Sequence, residues 1–173
     1  GDVLPMVHIP TTAGTGSEVT QYAILTNDAA QTKTSLAGPM LFSRLALLDG
    51  KYMLGLGHRT TVNTAVDALS HAVEGMLSVK ANPTTDLLAA DAITRIVRNY
   101  DGLLHDTLTA EQRDELLYAS MLGGAVIAQT GTTAVHSMGY SLTYFWETDH
   151  GRANGLLLAD YLRLLLERGY KKT

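Results

Sequence analysis

The 173-residue chain contains no cysteine. That excludes disulfides, zinc–thiolate sites and iron–sulfur clusters, and it suits a reducing cytoplasm. Charge is also scarce, at 17% of residues, below the roughly one quarter usual in globular domains. With 46% hydrophobic residues the chain can build a core, so the low charge does not signal disorder. Lys and Arg are scattered rather than clustered, and the net charge of -4 argues against a nucleic-acid surface. No apolar run approaches the roughly 18 residues of a membrane span. A signal peptide's basic and apolar regions are missing, and so is an initiator Met, since the chain opens Gly1-Asp2-Val3-Leu4. That opening reads as a boundary or as the interior of a longer protein. The length suits one domain, or one small domain plus part of another.

What is present changes character along the chain. Residues 6 to 57 read as β-rich: short apolar runs at Met6 to Ile9, Gln21 to Thr26 and Arg44 to Leu48, with Lys33 to Ala37 alternating weakly before the turn pair Gly38-Pro39. After Gly57 the period becomes helical. Thr60 or Thr61 is expected to cap a helix to about Ser78, and Thr84 or Thr85 a second one towards Tyr100. Thr109 to Gln112 is a capping box opening a third helix to about Thr130. Its Gly123, Gly124, Ala125 and Ala128 leave a smooth surface that another helix could approach. A fourth segment runs from about Thr132 to Phe145, and a last helix follows His150-Gly151.

Two features carry chemistry. The loop Thr11 to Glu18 (Thr-Thr-Ala-Gly-Thr-Gly-Ser-Glu) follows the first strand, and its glycines, hydroxyls and free N–H groups suit phosphate or ribose oxygens. Its spacing is neither a Walker loop nor the dinucleotide Gly-x-Gly-x-x-Gly, so a plain tight loop remains open. On the first helix, Asn63, Asp67, Ser70, His71 and Glu74 share one stripe. The stripe is either a polar face turned to water or an Asp-x-x-x-His pair offering a carboxylate and an imidazole to one ion. His136 stands in an uncharged segment, where a lone histidine is more often a hydrogen-bonded core residue than a ligand. His150 lies at a helix start, where the dipole favours the neutral, ligating imidazole. His8, His58 and His105 have no such context.

Together these residues resemble the iron-containing (group III) alcohol dehydrogenase family. The match is Ile9-Pro-Thr-Thr-Ala-Gly-Thr-Gly-Ser-Glu-Val-Thr20, Val66-Asp-Ala-Leu-Ser-His-Ala-Val-Glu-Gly75, His136 in Ala-Val-His-Ser-Met-Gly, and His150-Gly-Arg-Ala-Asn-Gly-Leu-Leu-Leu, in an order that runs through almost the whole chain. The resemblance implies the dehydroquinate synthase-like architecture, here incomplete: the α/β end of a Rossmann-like nucleotide-binding domain (residues 1–57), then the first part of an all-α metal-binding bundle (58–173). A pyrophosphate loop would lie upstream of Gly1 and further helices beyond Thr173. The resemblance implies Asp67, His71, His136 and His150 as ligands of a divalent metal, Fe2+ or Zn2+. Thr11, Thr12 and Gly14 would line the nicotinamide and phosphates of NAD or NADP, with Thr20 and Tyr22 near the nicotinamide and Lys33 near the ribose. It implies a small alcohol or aldehyde as substrate and a cytoplasmic homodimer. Where many relatives have a second histidine one turn after the third ligand, this chain has Tyr140. Gly57-His58 and Asp49-Gly50 replace a Pro-Pro and an Asp-Pro common in the family. Phe145 and Trp146 are expected in core packing or in the wall of an alcohol pocket. Two other readings stand beside this one: a metal-dependent hydrolase with Glu74 as general base, and a non-catalytic metal-binding module.

Overall fold

The structure, a computed structural model, describes residues 3–170. Strands come first. β1 (Val7–His8) pairs in parallel with β4 (Leu45–Ala46), and between them β2 (Tyr22–Asn27) and β3 (Thr32–Ala37) form an antiparallel hairpin in which Tyr22 faces Ala37 and Asn27 faces Thr32. Asn27 closes the turn, its side chain accepting from the Ala30 N–H and donating to Thr34. The β-rich expectation for this half is met by short pieces rather than one sheet.

Among the described residues six α-helices follow: α1 (His58–Leu77), α2 (Pro83–Arg98), α3 (Tyr100–His105), α4 (Ala110–Thr130), α5 (Ala134–Trp146) and α6 (His150–Glu167). Two starts differ from expectation. α1 begins at His58 after Gly57, not at a threonine cap. α2 is capped by Asn82, which accepts from the N–H groups of Thr84 and Thr85, because Pro83 takes the first helical position. Thr85 completes that capping box rather than starting it. The box at the head of α4 forms as expected between Thr109 and Gln112.

α1 is the central element and packs against α2, α4 and α6. Its Ala65, Ala68 and Ala72 meet Ala89, Ala92 and Ile96 of α2 and Leu116, Leu122 and Val126 of α4 in one buried core. Small residues make these approaches close. A side chain at Gly123 would press on the Ala68 carbonyl and His71, and one at Gly124 would strike the loop at Gly16. Gly16 itself has φ 57°, a left-handed conformation that favours glycine. α6 lies on α1 through Gly151, set against the Asn63 backbone, and Gly155, set against Val66. Phe145 and Trp146 are 56% and 69% exposed. The core expectation for them is therefore corrected: α5 ends at the surface, and its last turn turns them outward. No helix among the described residues is long and apolar enough to cross a membrane.

Candidate metal centre

The polar stripe of α1 does not face water. Asp67, Ser70, His71 and Glu74 are all buried, because α4 and α6 pack along α1 and the head of α5 reaches Glu74 through Thr133, Val135 and His136. His136 sits in the first turn of α5, and His150 is the first residue of α6. Asp67, His71 and His136 each bring a ligand-type atom to within 4.8 Å of the others. The Asp67 carboxylate lies 3.6 Å from His136 Nε2 and 3.7 Å from His150 Nε2. The His71 and His136 rings stack at 4.7 Å, and His150 meets His136 edge-on at 5.2 Å.

Two residues outside the four hold the cluster. Asn154, one turn after His150 and fully buried, places its amide nitrogen 2.9 Å from Asp67 Oδ1, 3.1 Å from His136 Nε2 and 3.3 Å from His150 Nε2. The close approach of Gly139 on α5 leaves room for it. Glu74 is likewise fully buried. Its Oε1 accepts from the Thr133 N–H at 2.7 Å, the Thr133 hydroxyl at 2.6 Å and the Val135 N–H at 3.1 Å, while Oε2 meets His136 Nδ1. Both oxygens are thus taken. That corrects the hydrolase reading, since its only candidate base spends Oε1 on three donors at the head of α5 and turns Oε2 to His136.

The electrostatics fit four groups sharing one positive charge. Burial opposes ionisation of Asp67, but His71, His136 and His150 beside it outweigh burial and hold its carboxyl well below the usual range. Burial pushes His71 down to about 4, and burial likewise lowers His150. Burial also works against a charged His136, yet Asp67 and Glu74 raise it to about 9. The Asn154 amide, a donor facing His136 Nε2, opposes a proton there. Burial disfavours the charged form of Glu74, but His136 and Thr133 lower it on balance.

This donor set fits a divalent cation. Asn154 has two amide hydrogens for three nearby acceptor atoms, and His71 Nδ1 is buried without a hydrogen-bond partner among the described residues. Buried lone pairs left bare are costly. One carboxylate oxygen with imidazole nitrogens suits Fe2+ or Zn2+.

All four residues of the cluster line a cavity of about 680 Å³. Tyr22 and Lys33 of the hairpin line it, together with Thr15, Ser17 and Thr20 of the segment before it. Thr11, Thr12 and Gly14 are not among its lining residues; Gly14 packs against Thr64 of α1 instead. Tyr140 lines the cavity and stacks on His150 at 5.7 Å with 11° between the rings. Burial raises its phenol pKa, and the charges of Asp67 and Glu74 add to the effect. The roles of Glu74 and Asn154 carried no local sequence signal beyond their helical spacing from His71 and His150.

The chain is thus a short strand segment feeding a helical bundle, with one buried carboxylate and three imidazoles lining a single cavity. Residues 61–173 match the model of the Fe-containing alcohol dehydrogenase family, C-terminal, and residues 1–50 that of iron-containing alcohol dehydrogenase. The chain belongs to the iron-containing alcohol dehydrogenase family. It is 36% identical to alcohol dehydrogenase 4 of Schizosaccharomyces pombe, over 90% of this chain and 37% of that protein. It is also 36% identical to 1,3-propanediol dehydrogenase of Citrobacter freundii, over 92% of this chain and 41% of that one. Among solved structures, an iron-containing alcohol dehydrogenase of Thermotoga maritima superposes with TM-score 0.88 at 44% identity, covering 96% of this chain and 45% of that one. The sulfoacetaldehyde reductase of Bifidobacterium kashiwanohense, solved with NAD+, gives TM-score 0.87 at 31% identity, covering 95% and 44%. The chain therefore spans less than half the length of these relatives.

Proposed function

We propose that the protein is a metal-dependent alcohol dehydrogenase, with Asp67, His71, His136 and His150 holding Fe2+ or Zn2+ and with NAD or NADP as the second reactant. The observation that carries this reading is the convergence of one buried carboxylate and three imidazoles from α1, α5 and α6 on one cavity. The chemistry supplied by the bound groups is Lewis acidity toward an alcohol or aldehyde oxygen, and hydride acceptance or donation by nicotinamide. The chain's own part is to orient and to exclude water. His71 and His150, lowered by burial, keep lone pairs available at neutral pH. Asp67 stays ionised and supplies the single negative charge.

Thr20, Tyr22 and Lys33 line the same cavity as the four candidate ligands, where this reading sets the nicotinamide and its ribose. Thr11, Thr12 and Gly14 act in this reading through the loop that leads to Thr15 and Ser17. Tyr140, with its raised pKa, keeps its proton at neutral pH and takes the place of the family's second histidine. The division into a nucleotide-binding part (1–57) and a helical part (58–173) is supported by the start of α1 at His58; its outer limits, Gly1 and Thr173, lie outside the described residues. A cytoplasmic homodimer and a small alcohol or aldehyde substrate rest on the family resemblance.

The test is Asp67→Ala in the complete protein. It is expected to abolish metal retention and NAD(P)-linked alcohol oxidation together, the first read by elemental analysis and the second by nicotinamide absorbance. Undiminished turnover in a preparation stripped of metal would refute the proposal.

A further inference from the structure

Glu74 lies one helical turn beyond His71, yet the dehydrogenase reading gives it no task. It is a fully buried carboxylate, and burying one without purpose is costly. Its contacts divide by oxygen. Oε1 takes both N–H groups at the head of α5, from Thr133 and Val135, and the Thr133 hydroxyl. α5 has no side-chain cap from its own N-cap residue, Thr133, so a side chain on α1 supplies the acceptor that helix starts require. Oε2 faces His136 Nδ1. The other nitrogen of that ring, Nε2, points to Asp67 at 3.6 Å and Asn154 at 3.1 Å.

We propose that Glu74 is a positioning residue that keeps the proton of His136 on Nδ1 and thereby presents Nε2, with its lone pair free, to the ion shared with Asp67, His71 and His150. The inference rests on the metal-centre reading above. Its physical basis is that a histidine's second nitrogen sets which nitrogen ligates: a carboxylate there fixes the tautomer, orients the ring and raises its basicity. The Oε1 contacts make this rigid. They pin the carboxylate by three donors, so that Oε2 cannot swing away from Nδ1. The same residue thus joins α1 to α5 and orders the ring that α5 carries.

A mere helix cap would behave differently from a positioning residue, and Glu74→Gln separates the two. Glutamine can still accept from Thr133 and Val135 through its oxygen. Its amide then meets His136 Nδ1 as a donor, which drives the ring proton to Nε2, toward the ligands. The reverse amide orientation would set NH2 against two backbone N–H donors.

The experiment measures Zn2+ affinity by chelator competition, and the visible spectrum of the Co2+-loaded protein, for wild type, Glu74→Gln and Thr133→Val. Expected is a loss of about 10- to 100-fold in Zn2+ affinity for Glu74→Gln, with an altered Co2+ spectrum. Thr133→Val, which removes one contact to Oε1 only, should keep affinity within about threefold. Wild-type affinity in Glu74→Gln, or an equal loss in Thr133→Val, overturns the proposal while leaving the metal centre standing. Failure of the wild type to bind either ion overturns the metal centre and this proposal with it. Should Glu74→Gln not fold, long-range 1H–15N spectra of Zn2+-loaded wild type decide, with His136 assigned from His136→Asn. A proton on Nδ1 supports the proposal, and a proton on Nε2 refutes it.

Discussion

Asp67 and the three histidines form a cluster whose members titrate in opposite directions, which gives the metal-free protein a peaked stability profile. His71 has its pKa lowered to about 4, so the fold prefers it neutral. That contribution is present above its unfolded value of about 6.5 and is lost as pH falls from there through about 4. His136 is raised to about 9, so its contribution is complete below about 6.5 and is lost as pH rises through about 9. Urea midpoints in EDTA across this range are expected to be highest near pH 6.5 and to fall on both sides. A flat alkaline arm would mean that the Asn154 amide keeps Nε2 bare. At this scale the sequence was half legible. The four-residue step from Asp67 to His71 shows that they share a face, but not whether that face meets water. Asn154 and Glu74 act across helices on partners far away in the chain, which local spacing cannot disclose.

Between elements, the geometry of the centre depends on how closely helices approach. Gly151 lies directly against the Asn63 backbone, and its neighbour His150 is placed by that contact. Gly151→Ala is expected to overpack the α1–α6 seam, costing about 1 to 3 kcal/mol by urea denaturation, and to weaken metal affinity by displacing His150. A variant with unchanged stability and unchanged affinity would show that α6 is free to shift. The capping box of α4 was readable because all its parts lie within four residues. The start of α2 was misplaced because Pro83 fixes the first helical position and leaves Asn82 to cap. α3, six residues long, is too short for hydrophobic periodicity to register.

For the whole molecule, the two sides of the cavity are unequally supported. The ligand side stands on three helices tied together by Glu74, Asn154 and close glycine contacts. The hairpin lines the same cavity through Tyr22, Ala23, Ile24, Lys33 and Ser35, and the parallel strand pair before and after it leaves Val7 and Leu45 exposed, although parallel strands are ordinarily covered on both faces. This chain alone should therefore retain a divalent ion yet bind NADH far more weakly than the complete protein, as fluorescence titration beside elemental analysis would read. Tight NADH binding by the chain alone would contradict that. The family motifs made the order of the two parts legible, whereas the brevity of β1 and β4, two residues each, could not be read from apolar runs twice that long.

The distribution of the ligands over the chain has a kinetic consequence. Asp67 and His71 come together as soon as one turn of α1 forms, but His136 and His150 join them only after two long loops have closed. An ion held by all four would therefore act as a latch fastened late, slowing the opening of the folded protein and leaving the rate of folding nearly untouched.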